Sequence, residues 1–184
     1  MNNAGAIPAG DLLSVDEATW RDSWDLKVFG TPTPLMSVML FTWLIELRCG
    51  AGYINMAREA YSRFKSAGDG VILNVIGTGG VRPTAGYIAG ATANAGLIAF
   101  TEALGGESAS DGIRVAGVNP GATLTPRMQS LIDQGMDMGD MTDGPYRAAT
   151  AEEVADTVVY LSSSRAAHVS GTVLTVDNGR TKRG

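Results

Sequence analysis

Residues 71 to 121, VILNVIGTGGVRPTAGYIAGATANAGLIAFTEALGGESASDGIRVAGVNPG, decide how this chain is built. Val71-Ile72-Leu73-Asn74-Val75-Ile76 is a short apolar, β-branched run ended by Gly77, and it reads as a buried strand. From Tyr87 to about Ser110 the apolar residues Leu97, Phe100 and Leu104 follow one another at steps of three and four, which predicts a helix. Ile113-Arg114-Val115-Ala116-Gly117-Val118 is a second buried strand, closed by Asn119-Pro120-Gly121. A strand, a helix and a strand in that order imply parallel pairing through a right-handed crossover.

The alternation continues downstream. Thr150 can cap a helix, and Glu153 stands three residues on to complete a capping box. Val154, Val158 and Leu161 give that helix an inner face. Gly171-Thr172-Val173-Leu174-Thr175-Val176-Asp177 is a third strand, ended by Asn178-Gly179. The expected fold is α/β, a doubly wound parallel sheet whose ligand sites lie at the carboxyl ends of its strands. The stretch from Gln129 to Arg147, rich in Met, Asp and Gly, has no sustained period. It reads either as a lid over the site or as a plain surface connection.

Composition narrows the function classes. The 184 residues suffice for one domain with one core. A net charge of −5 without a basic patch gives no expectation of a nucleic-acid partner. The basic residues Arg180, Lys182 and Arg183 read as a solvated tail. A single cysteine, Cys49, and a single histidine, His168 in a polar turn, leave no material for a Cys/His metal cluster or a Ser/His/Asp arrangement. The start Met1-Asn2-Asn3-Ala4-Gly5 has neither the basic residues nor the apolar core of a secretory signal, so the expected address is the cytoplasm.

Gly77-Thr78-Gly79-Gly80 follows a strand and invites reading as a phosphate-binding turn. The fingerprint needs a third glycine, a helix opening at once and an acid about 20 residues on. Arg82 and Pro83 stand where the glycine and helix should be, so the phosphate reading is rejected.

Four motifs in order resemble the short-chain dehydrogenase/reductase family. Asn2-Asn3-Ala4-Gly5 is similar to the turn that ends the family's fourth strand. Tyr87 opens its helix as the family's catalytic tyrosine does. Asn119-Pro120-Gly121-Ala122-Thr123-Leu124-Thr125 is similar to the turn beside the nicotinamide, and Ser170-Gly171 through Val176-Asp177-Asn178-Gly179 to the last strand. The resemblance implies the C-terminal half of a Rossmann-type three-layer α/β/α domain with a parallel sheet. It implies an NAD(P)-dependent oxidoreductase acting on a carbonyl or a secondary alcohol, whose proton moves through Tyr87. Asn3, Ala4 and Gly5 would line the cofactor ribose, and Pro120, Gly121 and Thr125 would flank the nicotinamide. A small-molecule substrate and a homo-oligomer, joined through the helices of residues 14–65 and 87–110, follow from the same resemblance.

The chain departs from the family at each supporting position. A phenol has a pKa near ~10 and needs a positive neighbour to work at neutral pH. The family supplies a lysine four residues after the tyrosine, where this chain has Ala91. The family's serine falls at Gly77, with Thr78 next to it as the available hydroxyl. The family's assisting asparagine on the preceding long helix falls at Lys27. Lys27 is therefore the candidate replacement for the missing cation, brought from a different helix, against the plainer reading of a solvated helix lysine.

Two features are foreign to the family pattern. The first three strands, with the glycine-rich turn and the residues that choose between NAD and NADP, have no counterpart. The chain is accordingly not expected to hold the dinucleotide or to catalyse by itself. Residues 31 to 52 open Thr-Pro-Thr-Pro and continue as an apolar run that Glu46 interrupts, too short for a membrane span. Joining Gly30 to Tyr53 restores one long amphipathic helix with the stripe Trp20, Trp24, Val28, Tyr53, Ala57, Ala60 and Phe64. The expectation is one partial domain over residues 1–184, interrupted by an insertion at 31–52. That insertion is either an unspliced intron in an imperfect gene reading or a real apolar helix that covers the exposed sheet edge or binds a partner. A non-catalytic interaction or dimerisation module is the alternative to an enzyme.

Overall fold

The computed structural model describes residues 7, 9–29, 52–135 and 139–183. In chain order the elements are α1 (Glu17–Trp24), continued by a π-helical turn Asp25–Phe29, α2 (Tyr53–Ala67), β1 (Gly70–Val75), α3 (Ile88–Glu107), β2 (Ile113–Pro120), β3 (Thr123–Leu124), α4 (Pro126–Asp133), β4 (Ala149–Thr150), α5 (Ala151–Ser162) and β5 (Thr172–Val176).

The sheet runs β1-β2-β5 with every pairing parallel. β2 is central, and Ile113, Val115, Ala116 and Val118 are fully buried, as expected of a strand covered on both faces. One face meets α2 and α3: Ile72, Ile113 and Val115 pack with Ala57, Phe100 and Leu104. The other face meets α5, where Leu73, Ala116 and Val118 pack with Leu161 and Val158. This is the three-layer α/β/α arrangement, with each strand within a residue or two of its expected bounds.

α3 lies close to the sheet because its inner face is made of small residues. A Cβ on Gly105 would overlap the Val115 carbonyl and the Gly171 backbone. The capping box forms as read: the Glu153 N–H donates to Thr150 Oγ1, and the Thr150 N–H donates to the Glu153 carboxylate. The amphipathic stripe also faces inward. Trp20, Trp24, Val28 and Tyr53 share one cluster, while Ala57, Ala60 and Phe64 serve the next. Of the apolar segment at 31–52, only Gly52, the N-cap of α2, falls within the described residues.

Two expectations need correction. The stretch from Gln129 is not wholly irregular: α4 runs to Asp133, started by the Thr125 cap and Pro126 in its first turn. The basic tail is not merely solvated. Arg180 donates to the Tyr146 carbonyl, Arg82 donates to the Arg180 carbonyl, and the Arg183 guanidinium lies 4.5 Å from the centre of the Tyr146 ring. The tail thus fastens the loop before β4.

Candidate active site

The loop after β1 is shaped by its glycines. Gly77 takes φ 122 and ψ 150, a conformation that only glycine holds without strain. A serine is therefore excluded there by the backbone as this chain folds it. Residues Thr78–Gly80 form a single 3₁₀ turn pressed against α3, where a Cβ on Gly80 would stand 2.7 Å from the backbone of Asn94 and Ala95. The run of glycines serves close approach to a helix, which gives a structural reason for a motif that resembles a phosphate turn.

Tyr87 is the N-cap residue of α3. Its half-buried ring lies across the first turn of its own helix, over Gly90. It also borders Gly79, whose Cβ, if present, would stand 3.3 Å from the ring and 3.2 Å from Asn94 Nδ2. Ala91, four residues after Tyr87, is buried.

Lys27 sits in the π-helical turn, a helix irregularity frequent at functional sites. It is only 7% exposed. Its Nζ donates to Asn94 Oδ1 at 2.7 Å and lies 3.5 Å from the Ile76 carbonyl. Burial pulls its pKa down from 10.5 to about 8, because a desolvated ammonium is less stable than a neutral amine. Asn94, 3% exposed, donates through Nδ2 to the Gly77 carbonyl at 3.3 Å. The Gly77 N–H in turn donates to Asn119 Oδ1 at 3.3 Å. One hydrogen-bonded chain therefore runs from the α1 side through α3 and the β1 loop to the end of β2. The indole of Trp24 donates to the Ala89 carbonyl at 3.1 Å and fastens α1 to the start of α3.

Of the site residues expected from the sequence, Lys27, Thr78 and Tyr87 gather around Gly77 and Gly79, and Pro120 adjoins them through Asn119. Gly121 follows, its N–H donating to the Val176 carbonyl. Thr125 is set apart as the exposed cap of α4, its Oγ1 accepting from the Met128 N–H. Asn3, Ala4 and Gly5 lie outside the described residues. A cleft of about 660 Å³ opens elsewhere, between the end of β5, α5 and the loop of Pro145, Tyr146 and Arg147. It contains none of these residues except the neighbour Ala122.

The residue the sequence reading passed over is Asn94. A signal was present: it is the lone amide in a run of Ala and Gly, seven residues after Tyr87 and so on the same face of the helix.

Residues 41–181 match the family described as enoyl-(acyl carrier protein) reductase. The chain belongs to the short-chain dehydrogenase/reductase family. It is 30% identical to the 3-oxoacyl-[acyl-carrier-protein] reductase FabG of Chlamydia muridarum, over 97% of this chain and 63% of that protein. It is 31% identical to the FabG of Escherichia coli K12, over 97% of this chain and 64% of that one. This family member thus spans somewhat under two thirds of the length of these curated relatives. Among solved structures, an oxidoreductase of the same family from Burkholderia thailandensis superposes with a TM-score of 0.77 at 25% identity, over 97% of this chain and 62% of that one. ElxO, solved with NADP bound, superposes at 0.80 and 20% identity, over 99% and 66%, a likeness of fold. Among the described residues no helix is long and apolar enough to cross a membrane.

Proposed function

We propose that this chain carries the substrate side of an NAD(P)-dependent oxidoreductase of carbonyls and secondary alcohols, with Tyr87 exchanging the proton and Lys27 as its cation. The observation that carries the reading is the buried Lys27 amine, held against the helix face that Tyr87 opens. A lysine is seldom buried without a task, and a solvated helix lysine would not reach this position.

The described residues fit the nicotinamide side of such a cofactor. The Pro120-Gly121 turn stands at the carboxyl end of β2, beside the β1 loop. Exposed Thr125 still has a hydroxyl proton to donate after its oxygen accepts the Met128 N–H. Asn3, Ala4 and Gly5 are assigned to the ribose on the family pattern. Bound there, the cofactor supplies or takes the hydride.

In the reducing direction the Tyr87 phenol gives its proton to the carbonyl oxygen as that oxygen gains negative charge. The phenolate left behind is unfavourable at neutral pH. A positive charge brought near it, partly shielded from water, stabilises it more than the same charge could in water. Lys27, with a pKa of about 8, is charged at pH 7 and mostly neutral by pH 9. Thr78 is the hydroxyl that steadies the substrate oxygen. A small-molecule substrate, and a second copy packed against α1–α2 and α3, belong to the same proposal.

The test is a pH–rate profile in a polypeptide that joins this chain to the nucleotide-binding strands of its relatives. Tyr87→Phe should lower kcat by about 10²-fold or more. Lys27→Ala should abolish the alkaline limb near pH 8. A profile that Lys27→Ala leaves untouched removes Lys27 from the mechanism.

A further inference from the structure

The family places a lysine on the helix that begins with the tyrosine, and an assisting asparagine on the long helix before it. This chain has Ala91 and Lys27 at those two places. Its amide has moved as well. Asn94 stands one turn beyond Ala91 on α3 and accepts the Lys27 proton at 2.7 Å. We infer that Lys27 and Asn94 are the family's lysine–asparagine pair transposed between helices, with Asn94 the positioning residue that sets where the Lys27 amine sits and how it titrates. The inference rests on the reading of Lys27 as the cation of the site.

Three observations support it. Asn94 uses both ends of its amide, Oδ1 toward Lys27 and Nδ2 toward the Gly77 carbonyl, so its orientation is fixed from two sides. Both partners are almost wholly buried, where the amide oxygen and the lysine amine give each other a close polar partner in place of water. The geometry also accounts for Ala91. Ala91 is buried one turn before Asn94, so a lysine there would bring a second ammonium within a helical turn of the amide that holds the first, and like charges at such range disfavour each other.

The surroundings leave Asn94 as the group with most leverage. Among the described residues, the apolar cluster that Val28, next to Lys27, enters carries two phenols, Tyr53 from α2 and Tyr87 from the start of α3. From β1 the neighbour is the Ile76 carbonyl. Desolvation is the cause of the Lys27 shift, with no charged neighbour among the described residues contributing.

The chain has three lysines, Lys27, Lys65 and Lys182, so lysine NMR can follow each one without cofactor or turnover. In the unaltered protein the Lys27 ammonium protons should exchange slowly and show a contact to the Asn94 side-chain amide. Absence of that contact overturns the inference without any variant. Asn94→Asp should raise the Lys27 titration midpoint by about 1 to 3 pH units, as an opposite charge does at this range. An unmoved midpoint overturns the inference. In the polypeptide completed with nucleotide-binding strands, the alkaline limb should move with the midpoint. If the midpoint moves and the limb does not, the transposed pair stands and the catalytic reading of Lys27 fails. Lys27→Asn combined with Ala91→Lys, which returns the pair to the family's arrangement, should recover the activity that Lys27→Asn loses. No recovery in a folded double variant counts against the transposition.

Discussion

A buried lysine leaves its mark on stability as well as on rate. Lys27 has a pKa of about 8 in the folded chain against 10.5 when free. Between those values the unfolded chain holds a proton that the native chain has released, so stability rises with pH across that window. Below pH 8 the desolvation cost is fully present, and above about 10.5 it is gone. A displacement of that size corresponds to about 3 kcal/mol. Lys27→Met should therefore flatten the rise between pH 8 and 10 seen in chemical denaturation of the unaltered protein. Its gain at pH 7 should be smaller than about 3 kcal/mol, because Asn94 Oδ1 is left without its donor at a cost of about 1–3 kcal/mol. A rise that persists in Lys27→Met would show that another group is titrating. How much of this was legible differs residue by residue. The sequence singled out Lys27 through the family position it occupies. It did not show that Asn94 would meet it, because the two are 67 residues apart and only the packing of α1 on α3 joins them. Nor did it show that the β1 loop excludes serine at Gly77, since a positive φ is a property of the folded backbone.

Glycines within one helix can have opposite roles, and α3 carries the contrast. Gly90 lies under the Tyr87 ring, so a methyl group there must displace the phenol. Gly96 is exposed with open space around its Cβ position. Helix propensity alone would favour alanine at both by about 1 kcal/mol. Gly96→Ala should deliver a stabilisation of that order in thermal or chemical unfolding. Gly90→Ala should lose stability instead, and should disturb the tyrosine near-UV signal while the far-UV helix content holds. Equal effects from the two substitutions would mean that Tyr87 does not rest on Gly90. The long elements were readable for a physical reason. β2 is apolar on both faces because it is central, and α5 announces its start through the Thr150 and Glu153 capping box. The shorter pieces were not: α4 has only eight residues, too few for Met128, Leu131 and Ile132 to set up a sustained period, and β3 and β4 have two residues each. The π-helical turn around Lys27 has no sequence pattern of its own; it continues α1 where Lys27 and Val28 are buried.

At the scale of the whole molecule, the sheet divides the core into two layers that must be tied to one another. On the α2 and α3 face the tie is broad, through small residues in close approach. The α5 face has fewer buried side chains and depends more on one polar clamp. Arg114, on central β2, donates to the carbonyls of Leu161 and Ser163 at 3.0 Å each and lies 3.4 Å from that of Val169. The carbonyls at the end of a helix have no partner within it, so this guanidinium does the work of a C-terminal cap while fixing α5 to the strand beneath. Its planar fork reaches several acceptors at once, which a single ammonium cannot reproduce. Arg114→Ala should cost about 1–3 kcal/mol in global unfolding, the penalty of leaving half-buried carbonyls unpaired. Arg114→Lys should recover little of it. Hydrogen exchange locates the effect: the amides of α5 should lose protection in Arg114→Ala well beyond those of α3, because α3 is held by packing that the substitution does not touch. Uniform loss of protection over both helices would mean that the two layers open as one unit, and that the clamp holds no layer of its own.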